Sequence, residues 1–110
     1  MIQISRTLAR QLRSVIRRSI VEQESRSEWP MLLCRSDGKT LCLYTHGNGV
    51  GVLYRVSTEQ PANAIAFRSY VLKEFEGRKG ELLTLEQSAP GKGCAKWHDG
   101  PCPHVLEFET

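Results

Sequence analysis

Residues 31–56 read MLLCRSDGKTLCLYTHGNGVGVLYRV. Two turn signals divide this stretch into three strands. Ser36-Asp37-Gly38-Lys39 stands between the strand-like runs Met31–Arg35 and Thr40–His46. An Asp-Gly pair in that setting is a strong hairpin signal. Gly47-Asn48 then turns the chain into Gly49–Val56. With both turns set, strict alternation puts Leu41, Leu43, Val50, Val52, Tyr54 and Val56 on one face, joined by Leu32 and Cys34. This is the expected core face. Leu33, Cys42, Tyr44 and Arg55 fall on the other. Cys34 and Cys42 therefore point apart and are not expected to pair.

Working outward, Met1–Ser5 reads as a short strand. From Arg6 to about Gln23 the period becomes helical, with Leu8, Leu12, Val15 and Ile16 on one arc and Ala9 and Ile20 beside it. A polar connection, Glu22–Pro30, leads into the three strands. After them, Ala64–Phe67 reads as a strand and Arg68–Glu76 as a short helix stopped by Gly77. Glu81–Gln87, Lys92–His98 and His104–Glu109 read as three more strands, turned at Pro90-Gly91 and Asp99-Gly100. The order strand, helix, three strands thus occurs twice, in halves of roughly 1–56 and 64–109 within one domain spanning 1–110. The expected class is α+β, with two β-α-β-β-β units and helices on one face of antiparallel sheet. Each helix is expected to cover the strands of its own half.

The chain has 110 residues, 40% hydrophobic and 25% charged, which suits one soluble domain and excludes a disordered tail, a collagen repeat or a coiled coil. No apolar run approaches the ~20 residues of a membrane span. Arginines interrupt the N-terminal apolar positions, so no secretory signal is read there. A transit peptide shares the Arg- and Ser-rich, acid-poor composition. Four cysteines without a C-x-x-C pair are read as free thiols of a cytoplasmic protein.

The net charge of +3 is unevenly spread. Residues 1–21 hold five arginines and no acid, giving +5; the remaining ten basic and twelve acidic residues give −2. Arg6, Arg10, Arg13 and Arg17 are spaced by 4, 3 and 4 residues, within about 60° of helix circumference and well separated from the Leu8–Leu12–Val15–Ile16 arc. No acid within the stripe relieves their repulsion, and guanidinium groups match phosphate geometry. An anionic partner is expected: nucleic acid, an acidic protein or an anionic membrane surface. The apolar face lacks Trp and Phe and is needed to cover the sheet, which weighs against the membrane. Four neutralised phosphates correspond to a salt slope of about −3.6 on duplex DNA. No base-reading motif is present, so contact without sequence preference is expected.

No catalytic residues, cofactor or metal site are expected. No Ser or Cys has a His and an acid arranged around it. His46-Gly47-Asn48-Gly49-Val50-Gly51 lacks the Lys and Ser/Thr of a phosphate loop. Cys94, His98, Cys102 and His104 follow a C-x3-H-x3-C-x-H spacing that matches no standard zinc pattern. With the turn at Asp99-Gly100, Trp97 opposes Cys102 and Cys94 opposes Val105. Cys94 and His98 then share one face, and Cys102 and His104 the other. A small zinc-stabilised domain is the third reading, behind the two stated below.

Several segments resemble one domain of the bacterial DNA sliding clamp, the beta subunit of DNA polymerase III. They are Ile2-Gln3-Ile4 with Leu8–Val15, Pro30–Cys34 through Asp37–Leu41, Ala64–Phe67 with Tyr70–Phe75, and Lys96–Gly100 with Val105–Glu109. The resemblance implies a processivity-clamp fold, with helices lining a ring around duplex DNA and sheets outside. It implies DNA contacts at Arg6, Arg10, Arg13 and Arg17, with Arg68 and Lys73 on the second helix partly offset by Glu74 and Glu76. It implies a homo-oligomeric ring, or a fragment of a multi-domain clamp, and polymerase or clamp loader as partners. The family's peptide pocket lies in later domains and is not carried to this chain. The expected function is backbone contact with duplex DNA as a processivity factor or part of one. The alternative is a non-catalytic interaction module whose arginine helix docks an acidic protein.

Overall fold

The computed structural model describes residues 1–21 and 29–110. Strand β1 (Ile2–Ser5) runs directly into helix α1 (Arg6–Ser19). Ile2 and Ile4 enter the core at strand period; Ala9, Leu12 and Ile16 then enter it at helical period. Ser5 makes the boundary: its backbone is extended and its hydroxyl accepts the Leu8 amide at 3.0 Å, an N-cap. The Arg6 amide, lacking a partner within the helix, donates to the Glu81 carbonyl at 2.9 Å. The expected extension toward Gln23, and positions 22–28 of the connection, lie outside the described residues. Ile20 is the C-cap, and Trp29 is buried.

Strands β2 (Met31–Ser36), β3 (Thr40–Gly47) and β4 (Val50–Ser57) form the expected meander. In the first turn the Asp37 carboxylate accepts the amides of Thr40 (2.7 Å) and Lys39 (2.9 Å). Those bonds, the Thr40 one foremost, hold its pKa below the usual carboxylate value. The second turn sits one residue later than the sequence suggested. Gly47 pairs with Val50, so Asn48-Gly49 makes the loop, with φ of 50° and 76°. Positive φ at both positions is what a type I′ turn requires. Asn48 also caps α1, its side-chain amide donating to the Ile20 carbonyl. Gly47 permits that approach: a Cβ there would meet Ile20 Cγ2 at 2.8 Å.

Leu32, Cys34, Leu41 and Leu43 are buried as expected, and Val50, Val52 and Tyr54 pack half-buried against them. Val56 departs from the expected face pattern. It lies near the end of an outermost strand and is 41% exposed. All four cysteines are free thiols, with Cys34 buried and Cys42 on the opposite face.

Strand β5 (Asn63–Arg68) leads through a 3₁₀ turn (Ser69–Val71) into α2 (Leu72–Phe75), a helix of one turn. Strands β6 (Leu82–Ala89), β7 (Lys92–Asp99) and β8 (Cys102–Glu109) follow. The last hairpin is shifted by two residues from the expected register. Asp99 pairs with Cys102, so Trp97 opposes His104 and Cys94 opposes Glu107. A shift of two preserves faces. Cys94 and His98 therefore still share one face, and Cys102 and His104 the other.

The strands form two antiparallel four-stranded sheets, ordered β1-β6-β7-β8 and β4-β3-β2-β5. This corrects the expectation that each half closes on itself. Strand β1 of the first half completes the sheet of the second, through Ile2↔Leu85 and Ile4↔Leu83. Strand β5 of the second half completes the sheet of the first, through Leu32↔Phe67 and Cys34↔Ile65. Strands β4-β3-β2 of one sheet correspond to β8-β7-β6 of the other, four places later in the chain, and each trio is completed by the first strand of the opposite half, β5 or β1. The inner faces of both sheets and both helices share one hydrophobic core. At its centre Phe67, Phe75 and Phe108 meet with ring centroids 5.0–6.2 Å apart.

Two predictions test this packing. A Cβ at Gly93 would lie 2.5 Å from Phe108 Cε2 and 2.9 Å from Thr110 Cγ2, so Gly93→Ala is expected to cost about 1–3 kcal/mol in urea unfolding. Burial, reinforced by Cys42, pushes the Cys34 thiol from 9.0 up to about 12. The folded form keeps a proton that the unfolded chain loses above about pH 9. Stability is therefore intact below about pH 9 and falls toward about pH 12, by roughly 1.4 kcal/mol per pH unit from this thiol. Alkaline unfolding curves of Cys34→Ala should lack that slope, whatever constant offset its cavity adds.

Candidate nucleic-acid interface

The arginine stripe lies along one flank of the buried face of α1. At about 100° per residue, Arg6 and Arg13 are on the core-ward side of the stripe, and Arg10 and Arg17 on its solvent side. The structure divides the four residues accordingly.

Arg6 is held inside the molecule, with its side chain only 17% exposed. Its Nε donates to the Phe75 carbonyl at 3.1 Å and its Nη2 to the Glu76 carbonyl at 2.9 Å. These carbonyls end the second helical segment and have no partner within it. Nη1 lies 3.8 Å from Glu81 Oε2. The guanidinium sits 5.2 Å from the Trp97 ring centroid, and Trp97 stacks on His104 at 5.2 Å. Gly77, read in the sequence as a helix stop, has another role. A Cβ there would meet Arg6 Cζ at 2.7 Å, so its missing side chain leaves room for the guanidinium.

Arg13 pairs with Glu76, Nη1 to Oε1 at 3.4 Å, and its guanidinium lies 6.0 Å from the Trp29 ring centroid. Both side chains are partly buried. The acids missing from the stripe itself are thus supplied by Glu76 and Glu81, from the other half of the chain. Arg10 is exposed and makes no ion pair or hydrogen bond among the described residues. Arg17 is exposed on the same line. Arg18, off the stripe, donates to the Ser14 carbonyl at 3.3 Å.

The two further candidates do not join this line. Arg68 alternates with buried Phe67, so it projects from the outer face of its sheet, where it donates to the Trp29 carbonyl at 3.3 Å. Lys73 is exposed on α2 beside exposed Glu74. Glu76, Glu81, Trp29 and Trp97 are the partners that sequence reading did not assign to the stripe. Glu76 and Glu81 lie more than 60 positions from the arginines they meet, too far for a helical spacing rule to detect.

Among the described residues, no group of three or more His, Cys, Asp or Glu side chains is placed to hold a metal ion. No described helix is long and apolar enough to cross a membrane. Compared with protein-family models, curated proteins and solved structures, the chain matches none.

The division of the stripe predicts unequal costs. Arg6→Ala leaves two carbonyls without their donor and the Glu81 carboxylate without its counter-charge, and is expected to destabilise by about 1.5–3 kcal/mol. Arg10→Ala is expected to stay within about 0.5 kcal/mol of the parent. Urea unfolding of the two variants checks both values.

Proposed function

We propose that the chain is a sliding-clamp-like domain that contacts the backbone of duplex DNA without sequence preference. It serves in the cytoplasm as a polymerase processivity factor or as part of one. The observation that carries this reading is the outward edge of α1. There Arg10 and Arg17 stand exposed in line with Arg13, on a segment whose first 21 residues contain no acid. Guanidinium groups on one helix line suit a row of phosphates. With Arg6 and Arg13 engaged by Glu81 and Glu76, the phosphate-facing set narrows from four residues to the exposed Arg10 and Arg17. Arg68 and Lys73 drop out of it for the placements given above.

The repeated sheet order also supports the clamp reading, because a ring needs modules that join end to end. Strands β4 and β8 each lie at the end of a sheet and offer unpaired backbone for joining copies head to tail. Duplex DNA is the primary partner, and a polymerase or clamp loader the protein partner. No step in this reading is catalytic.

A second reading rests on Arg6 and Arg13. Both engage carboxylates within the chain, those of Glu81 and Glu76, and the exposed Arg10 and Arg17 beside them suit an acidic protein surface in the same way.

Light scattering of the purified protein, with fluorescence anisotropy of a labelled duplex against salt, tests the first reading. The assembled form is expected to bind unrelated duplexes equally. Its salt slope should be about −1.8 per domain, for two phosphates. Arg10→Glu with Arg17→Glu should abolish that binding. Absent or salt-insensitive binding by the assembled form would sink it. Displacement of the duplex by polyglutamate at well below equal charge would favour the second reading.

A further inference from the structure

The second surface of interest is the outer face of the β4-β3-β2-β5 sheet, turned away from the core and from α1. Leu32, Cys34, Leu41, Leu43 and Phe67 fill its inner face. Their neighbours in sequence therefore project outward. The ladders set these neighbours in rows. Arg35, Cys42 and Arg55 are directly opposed across β2, β3 and β4, and Leu33, Tyr44 and Leu53 form the adjacent row. Leu33 is 39% exposed, Tyr44 43% and Leu53 57%. Large apolar side chains grouped in this way on a sheet face mark an interaction surface.

The charge on this face is mainly positive: Arg35 and Arg55 project from it, and Asp37 at its end is attracted to Arg35. Arg35 and Arg55 stand two strand spacings apart, about 10 Å. Neither makes an ion pair among the described residues. No acid projects from either row. The nearest carboxylate in the sequence, Asp37 at the β2–β3 turn, is engaged by the Lys39 and Thr40 amides. The two arginines and the leucines line one shallow concavity together with Tyr44 and Asp37, so the two guanidinium groups outnumber the single carboxylate.

We propose that this face docks an extended peptide segment of a partner protein, with acidic side chains flanking an apolar one. The apolar residue seats on Leu33, Tyr44 and Leu53, and the carboxylates reach Arg35 and Arg55. Single-stranded nucleic acid fits the face less well. Bases stack on aromatic platforms; Tyr44 stacks on His46 with ring centroids 6.3 Å apart, but the other members of its row are leucines. Because the face lies on the other side of the sheet from α1, a partner held here leaves Arg10 and Arg17 uncovered. The proposal does not depend on the DNA reading of α1.

The test is fluorescence anisotropy with the full chain and a fluorescein-labelled hexapeptide, Glu-Asp-Leu-Phe-Asp-Glu. Its lysine counterpart, Lys-Lys-Leu-Phe-Lys-Lys, and labelled oligo-dT are run in parallel. The acidic peptide is expected to bind and the lysine peptide not. Arg35→Glu with Arg55→Glu should weaken binding at least about tenfold. Leu53→Ser should weaken it several-fold, and Arg10→Glu should leave it unchanged. All of these positions are exposed, so the variants are expected to keep the parent far-UV circular dichroism. No binding of the acidic peptide overturns the proposal. So does binding insensitive to both the arginine and leucine changes, or a preference for the lysine peptide or oligo-dT.

Discussion

The exchange of β1 and β5 between the two sheets is the constraint on which the rest of the molecule rests. A three-stranded meander with one apolar face needs a fourth strand and a cover, and neither half completes its own sheet. Strand β1 cannot fold back on its successor, because Ser5 ends it and α1 begins at the next residue. It is taken up by β6, where Ile2 and Ile4 lie against Leu85 and Leu83. Strand β5 is taken up by β2 in the same antiparallel sense. The two halves therefore interlock, and the aromatic cluster at the centre draws Phe67 and Phe75 from one segment and Phe108 from the last strand. Side-chain contacts between the sheets reinforce the join. The Gln60 amide group accepts from the Gln3 N–H at 2.7 Å and donates to its carbonyl at 2.9 Å, occupying the open side of β1 there.

The exchange also sets the electrostatics of α1. It brings the segment after α2 beside the helix, so that Arg6 and Arg13 meet Glu81 and Glu76. Four like charges on one helix line repel, and those of Arg6 and Arg13 are offset by Glu81 and Glu76. Arg6 goes further, since its bonds to the Phe75 and Glu76 carbonyls tie α1 to the end of α2. The stripe is thus part structural tether and part exposed cationic edge. Its outward members face solvent. The molecule thus exposes two surfaces of different character, the cationic edge of α1 and the mixed apolar and cationic outer face of the β4-β3-β2-β5 sheet.

Much of this was legible in the sequence wherever the controlling interactions are local. The Asp37-Gly38 turn, the Ser5 boundary and the alternation in residues 31–56 act over a few residues, and they specify the hairpins and their inward faces. The arginine line is equally local, being a matter of 3- and 4-residue spacing. Local signals were less exact where two turn options lay side by side. Asn48-Gly49 forms the loop rather than Gly47-Asn48, because two consecutive positive φ values suit Asn and Gly in a type I′ turn. At the last hairpin Gly100-Pro101 forms the loop and Asp99 joins the ladder with Cys102.

Local patterning thus sets the element order, the core faces of the strands apart from Val56, and the alignment of Arg6, Arg10, Arg13 and Arg17. Which strand completes each sheet, and that Arg6 and Arg13 are tied to Glu81 and Glu76, depends on long-range packing. The difference is one of range. Turn dihedrals and side-chain periodicity are set by covalent neighbours, whereas the partners of β1, Arg6 and Arg13 are chosen by packing between segments far apart in the chain.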